Sequence, residues 1–480
     1  MSSVNSQGLR RFTVAGIPLI TATAQRLGLR AILSDYVGAY GNESVPVVDT
    51  LMILLCNLTL GRQPLYELQQ WVRNTDPRCF GLTGEIAEAF NDDRFARALD
   101  KLYLTDRASL MTEIVVHMIR VVDLSLARVH NDSTTVKAYG KIPGKTRTGL
   151  QLARGKSKDH RPDLKQLLFS LTISSDGAVP VHYKAYPGNR TDDTTHIETW
   201  NTIRNIAGSP GFLYVADCKV CTSKQLAYIV GEGGRVITTM PDTWIESKTF
   251  KQDLRVEKKT MRRTLKERMV TGLYDISLTE VKQSYRVQIG RGRPGPHAKY
   301  KRCIVRLFSL TWHRNKEALK GETRLDGVFP LLTTDKSLSA KDVLLAYKYQ
   351  PRLEKRFTQF KSIHEAAPLL FKKIERVEAI MFLFFLSLVI QAVIEREVRL
   401  RMKERGIEAL PIYPEFRDAV HPTTSKILDA FDGVSSYEVK LDEETTKEFR
   451  DPLTATQCDI LDLMGLNSNH YWGLRSTRDQ

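Results

Sequence analysis

The 480-residue sequence predicts an α/β fold on three observations. In the first quarter of the chain, apolar residues recur every three or four positions, which is the helical period. From about residue 125 the pattern changes to short apolar runs bounded by turn residues, which read as strands. A second helical stretch follows a basic, alternating segment near the middle of the chain. At this length a single core is too small a unit, and about two to four structural units are expected.

Taken in order, residues 1–120 read as a helical N-terminal domain. Ile53 through Trp71 and Phe95 through Val122 carry the helical spacing, and polar breaks fall at Tyr40–Ser44 and Asn74–Arg78. Ala127–Val136 is the first strand. Leu167–Ser174 and Val179–Tyr186 are joined by S-S-D-G-A, a hairpin turn signal. Asp193–Ala207 reads as a helix, Phe212–Ala216 as a strand, Ser223–Val230 as a helix and Arg235–Met240 as a strand. Three strands, helix, strand, helix, strand is the order of an RNase H-like core, predicted over 121–242 and 324–405. A β-rich insertion over 243–323 separates the two halves, with alternating segments at Tyr285–Ile289 and Cys303–Trp312. Val328–Leu332 returns to the core, and helices run from about Ala340 to Arg405. A small C-terminal region, 406–480, holds helices near Ser425–Phe431 and Ala455–Met464.

Hydrophobic residues make up 42% of the chain, which excludes a disordered protein. The net charge of +16 points to a polyanionic partner. It is unevenly placed: Arg255–Arg268 holds seven basic and two acidic residues, and Arg286–Arg302 six basic and none acidic. These stretches, which include Arg262, Arg263, Arg291 and Arg293, lie within one region, as a nucleic-acid surface would require. Lysine and arginine there would contact phosphates and displace counterions, giving affinity without sequence preference. Trp312 in the insertion is either a core residue or a stacking platform for an unpaired base.

Six cysteines show no framework spacing, and the single C-x-x-C at Cys218 and Cys221 lacks a second pair to complete a zinc site. A reducing cytoplasm suits this pattern. The N-terminus has no basic segment followed by an apolar one, so no secretion signal is expected. The apolar run Ala379–Ile394 contains Ser387 and Gln391 and is bracketed by Glu378 and Glu395, which predicts a buried core helix rather than a membrane span.

Three carboxylates stand out against this frame. Asp132 lies within the first strand (V-H-N-D-S-T-T-V), Asp217 follows the fourth (F-L-Y-V-A-D-C), and Glu354 sits on a helix with Lys361 seven residues on. A strand-end aspartate that caps the next turn is the alternative for each of the first two. Together they read differently, because the first and fourth strands of this fold are neighbours. Adjacent carboxylates repel unless cations offset the charge, and paired divalent cations promote phosphodiester chemistry. His130 and His196 are set aside as ligands, since Mg²⁺ disfavours imidazole.

The spacing Tyr347, Gln350, Glu354, Lys361 resembles Y-x2-R-x3-E-x6-K, the signature of DDE transposases of bacterial insertion sequences that carry a β-rich insertion before the catalytic Glu. Gly155–Gln166 (G-K-S-K-D-H-R-P-D-L-K-Q) is similar to a second motif of one branch. N-D-D-R-F-A-R-A-L-D-K-L at 91–102, P-G-N-R-T-D-D at 187–193 and L-P-I-Y-P-E-F-R at 410–417 extend the resemblance over most of the chain.

The resemblance implies a DNA transposase whose Asp132, Asp217 and Glu354 bind two Mg²⁺ ions, with Mn²⁺ as a substitute. It implies cleavage at transposon ends, strand transfer into target DNA, and a homodimer on paired terminal inverted repeats in a bacterial cytoplasm. Tyr347 and Lys361 would contact DNA near the cut. Gln350 departs from the family's Arg, and Arg352 or Arg356 would then supply the phosphate contact. Pro351 suits a first helical turn, so the helix carrying Glu354 is expected to start there. Lys156, Lys158 and Arg161 either grip the DNA backbone or belong to a loop salt-bridged through Asp159 and Asp163. The N-terminal domain either binds DNA ends or serves packing and dimerisation. The alternative function is a catalytically inactive or purely hydrolytic DNA-binding protein of the same fold.

Overall fold

The computed structural model describes residues 9–38, 45–61, 63–82, 87–138, 142, 144–155, 163–255, 274–288, 300–314, 329–366, 372–413, 415, 417–440 and 446–473. The chain forms an α/β structure in two compact units, residues 1–238 with 333–480, and residues 239–332.

The first unit opens with β1 (Leu9–Thr13), so its N-terminal part is not purely helical as the sequence pattern suggests. Six helices follow: α1 (Ile17–Arg26), α2 (Leu29–Tyr36), α3 (Val47–Cys56), α4 (Leu68–Arg73), α5 (Asp92–Leu104) and α6 (Arg107–Val121). Both long helical patterns in this region are interrupted. The run from Ile53 to Trp71 breaks because α3 ends in a π-helical turn at Asn57–Gly61 and Pro64 then adopts an extended conformation. The run from Phe95 to Val122 breaks at Asp106, whose carboxylate accepts the Ala108 and Ser109 backbone N–H groups and caps α6.

The core sheet is built from β2 (Arg128–Ala138), β3 (Lys165–Ser174), β4 (Pro180–Pro187), β5 (Leu213–Ala216) and β6 (Arg235–Thr239), with α7 (His196–Ala207) before β5 and α8 (Ser223–Gly231) after it. β2 pairs antiparallel with β3 and parallel with β5; β3 pairs antiparallel with β4, and β5 parallel with β6. The β3–β4 hairpin turns through Gly177 and Ala178, both at positive φ (74° and 55°). A Cβ on Gly177 would meet the Arg396 side chain at 2.7 Å, so both backbone conformation and space favour glycine there.

The second unit holds α9 (Ile245–Arg255) and a long antiparallel ribbon of β7 (Tyr274–Gln288) and β8 (Tyr300–Arg314). Trp312 lies in β8, paired in register with Ile276.

β9 (Leu331–Thr333) completes a six-stranded sheet in the order β4-β3-β2-β5-β6-β9. Three helices follow: α10 (Ala340–Tyr347), α11 (Pro351–Ala366) and α12 (Ile374–Glu404). By length and composition α12 could cross a membrane, yet 94% of its most apolar stretch is buried within the protein. It is the shared core of the first unit, packing on α1, α3, α5, α11 and β4. Its polar residues are satisfied inside: Ser387 bonds Thr59 at 3.0 Å, and Gln391 donates to Ser387 at 3.1 Å.

The chain ends with α13 (Thr424–Asp429), β10 (Ser435–Lys440), β11 (Thr446–Arg450), α14 (Ala455–Leu463) and α15 (Ser468–Tyr471). β10 pairs antiparallel with both β1 and β11, which ties the C-terminal region to the start of the chain.

Candidate active site

Backbone pairing brings the first two acids together. The parallel register of β2 and β5 runs Arg128 with Leu213 to Asn131 with Ala216. Asp132 and Asp217 each follow the last pair by one residue, so they emerge side by side where β5 stops. Both are half-buried. Asp132 Oδ1 accepts the Ser133 backbone N–H at 2.7 Å, and Asp217 Oδ1 accepts that of Lys219 at 3.0 Å. Thr238 donates to the Asp217 carbonyl at 2.7 Å, fixing that turn to β6. The turn-capping role open to a strand-end aspartate is therefore present, and it orients the carboxylates as it does so. Tyr214 registers both charges: burial raises its phenol well above the ordinary value, and Tyr186, Asp217 and Asp132 push it further.

Glu354 arrives on a different element. α11 starts at Pro351, as the proline predicts, which places Glu354 in its opening turn. Just before it, Gln350 is buried and contacts β2 twice. Its Oε1 lies 3.0 Å from His130 Nδ1, and its Nε2 donates to the Asn131 carbonyl at 3.1 Å. His130 and Asp132 are two residues apart on one strand, so their side chains leave the sheet on the same face. α11 therefore begins over the face that carries Asp132. Glu354 itself is exposed. Among the described residues no three His, Cys, Asp or Glu side chains gather into a metal-holding group, so Glu354 does not close a cluster with the two aspartates.

The neighbouring histidines are buried. Burial lowers His130 to a pKa of about 4, opposed by the Gln350 bond and reinforced by Arg128. His196 Nδ1 lies 3.0 Å from the Tyr214 hydroxyl. Cys221 is raised to about 11 by burial and by Cys218, the opposite of an activated thiol.

The expected DNA contacts divide three ways. Tyr347, the last residue of α10, is half-buried, as are Arg352 and Lys361 on α11. Arg356 is corrected as a phosphate contact: it is 3% exposed and donates to the Ala178 and Gly177 carbonyls and to Glu395. Lys156, Lys158, Arg161, Arg262, Arg263, Arg291 and Arg293 lie outside the described residues. The residues missed from the sequence are His130 and Asn131 as partners of Gln350; the departure from Arg at position 350 was the available signal.

A cleft of about 880 Å³ lies elsewhere, along α1, α2 and the C-terminal helices, and none of the three acids lines it. Its arginines are matched to carboxylates, Arg26 to Glu397, Arg30 to Asp49 and Arg78 to Asp76. It is a salt-bridged seam.

Residues 12–116 match a family model described as a domain of unknown function, DUF4277. No curated protein matches the chain. Among solved structures, it is similar to a piggyBac transposase synaptic complex with hairpin DNA at 10% identity and a TM-score of 0.35, covering 86% of this chain and 76% of that one. A second similarity is to a Mos1 transposase paired-end complex with the left transposon end, at 12% identity and a TM-score of 0.17, covering 45% of this chain and 76% of that one.

Proposed function

We propose that this chain is a DNA transposase of the DDE type with an RNase H-like core, acting at the ends of a mobile element and joining them to target DNA. The observation that carries this reading is the parallel pairing of β2 with β5, which sets Asp132 beside Asp217 at the C-terminal end of β5, between the two central strands of the sheet. The strand order β4-β3-β2-β5-β6, antiparallel on one side of β2 and parallel on the other, supports the fold. The motifs at 155–166, 187–193 and 347–361 support the chemistry through their resemblance to insertion-sequence transposases.

The donors fit Mg²⁺. The acids offer hard oxygen ligands, while Nδ1 of His130 faces Gln350 and Nδ1 of His196 faces Tyr214. An open arrangement also suits Mg²⁺, which keeps several waters and takes further ligands from substrate phosphates. Asp132, Asp217 and Glu354 would hold two such ions, with Mn²⁺ as a substitute. Bound there, the cations would activate a water or a 3′-hydroxyl and offset charge on the leaving oxygen. The protein's own part is to hold its carboxylates in place. Ser133 and Lys219 N–H groups orient the aspartates, Thr238 fixes the Asp217 turn, and α11 presents Glu354. Tyr347, Arg352 and Lys361 would grip DNA beside the cut, and the basic insertion would bind phosphates more widely. A homodimer on paired ends in a bacterial cytoplasm completes the proposal.

The test is a labelled duplex carrying the inverted repeats that flank the gene, incubated with the protein and Mg²⁺. Strand-transfer products are expected. Asp132→Asn, Asp217→Asn and Glu354→Gln should each reduce cutting to background while DNA binding persists. Cleavage without transfer would leave a purely hydrolytic enzyme. Binding without any cutting in the unaltered protein would leave an inactive DNA-binding protein, the reading that the loss of the family's Arg at Gln350 favours.

A further inference from the structure

We propose that His130 and Gln350 are positioning residues for the third acid, forming a buried two-point clamp that fixes the start of α11 on β2 and so sets where Glu354 stands relative to Asp132. The proposal rests on the functional reading above only in giving those acids a metal to share.

The clamp follows from donor and acceptor counting. Gln350 Nε2 donates to the Asn131 carbonyl at 3.1 Å, which leaves Oε1 to accept. Oε1 faces His130 Nδ1 at 3.0 Å, so the imidazole must carry its hydrogen on Nδ1. Both side chains are buried, His130 at 0% exposure and Gln350 at 7%, where a missing partner is not replaced by water. The strand side is equally fixed. Asn131 Nδ2 lies 3.0–3.2 Å from Leu171 O, Ser170 Oγ and Thr172 Oγ1, acceptors for its two hydrogens that lock this part of β2 to β3. Tyr349 supports the same joint, its ring 5.0 Å from that of His130.

The geometry explains why the departure from Arg matters. A guanidinium here would bring a buried charge with only donors, and His130 could accept from it only by moving its hydrogen to Nε2, which is buried without a hydrogen-bond partner. Glutamine supplies one acceptor and one donor, which is what His130 and Asn131 require. Its backbone is part of the helix start as well: the Gln350 carbonyl accepts the Leu353 N–H at 2.9 Å. Any shift of Gln350 is therefore passed to the turn that carries Glu354.

The experiment uses the full chain with Gln350→Met, which keeps the volume and removes both bonds, and His130→Phe, alone and together. Ser387→Ala in the α12 core serves as a control for general destabilisation. Two readouts are independent of DNA cutting: amide hydrogen exchange over Arg352–Phe357, and Mn²⁺ affinity from the electron paramagnetic resonance of free Mn²⁺. Gln350→Met is expected to speed exchange in the opening of α11 and to weaken Mn²⁺ binding by about ten-fold, the usual scale for a residue supporting a ligand. The double variant should lose little more than either single one, because both break one joint. Ser387→Ala should leave Mn²⁺ affinity unchanged. Unchanged exchange, unchanged Mn²⁺ affinity, or an equal loss in Ser387→Ala would each overturn the clamp. If the unaltered protein cuts no DNA, the transposase reading falls, and amide hydrogen exchange over Arg352–Phe357 still decides the clamp.

Discussion

Arg356 illustrates how one residue's surroundings override its sequence pattern. On α11, two residues beyond Glu354, it looks like a phosphate contact, yet it is buried and pairs with Glu395 at 3.2 Å. Removing one partner of a buried pair strands the other charge, so Arg356→Ala should cost about 3–5 kcal/mol, read as a lower denaturation midpoint. Folded Arg356→Ala protein should bind DNA as the unaltered protein does; a specific loss of DNA affinity with stability intact would contradict this role. His182 on β4 sets a pH limit. Burial lowers it from its ordinary 6.5 to about 4, ahead of repulsion from Lys184 and against attraction from Glu198. Because the unfolded chain binds that proton first, this contribution is present above pH 6.5 and is lost as pH falls toward 4. Its upper bound is about 3 kcal/mol. Urea midpoints measured across that window should decline with acidification, and His182→Asn should flatten the decline by about one proton's worth.

At the scale of elements, legibility tracked how local the signal was. β3 and β4 could be read because S-S-D-G-A marks their turn and their apolar runs are continuous. α11 could be started correctly because Pro351 excludes other positions in a helix. The α3–α4 break was hidden because the apolar spacing continues across it while Pro64 interrupts the backbone. The β1–β10 pairing was not legible at all, since its partners, such as Phe12 and Ser436, are distant in sequence and neither carries a pairing signal. Within the candidate site, the adjacency of Asp132 and Asp217 depended on strand order, which the sequence predicted. The Gln350–His130 joint depended on side-chain geometry, which it did not. α12 offers the element-scale prediction. Phe385 is fully buried and stacks on Tyr183 of β4 at 5.0 Å between ring centres. Phe385→Ala should therefore cost about 3–5 kcal/mol in chemical denaturation. A change below about 1 kcal/mol would mean that α12 does not organise the first unit.

At the scale of the whole molecule, the second unit is inserted rather than appended, and its ends lie close together. The Met240 N–H donates to the Pro330 carbonyl at 3.0 Å, and β6 and β9, which flank the insertion, are neighbours in the sheet. A short linker can therefore replace residues 242–328 without pulling the strands apart, at a modest closure cost. The first unit should then fold alone with one cooperative transition, because α12 packs on α1, α3, α5, α11 and β4 of that same unit. The excision also deletes Arg255–Arg268 and Arg286–Arg302, which carry about two thirds of the excess positive charge. If those stretches neutralise phosphates, log affinity against log salt should become shallower, by about 0.9 for each phosphate of duplex DNA left without its cation. Affinity at low salt should fall in step, while the aspartates on β2 and after β5 remain in place. A folded excision variant that keeps the full salt slope would move the DNA surface to the first unit, where Arg352 and Lys361 share α11 with Glu354.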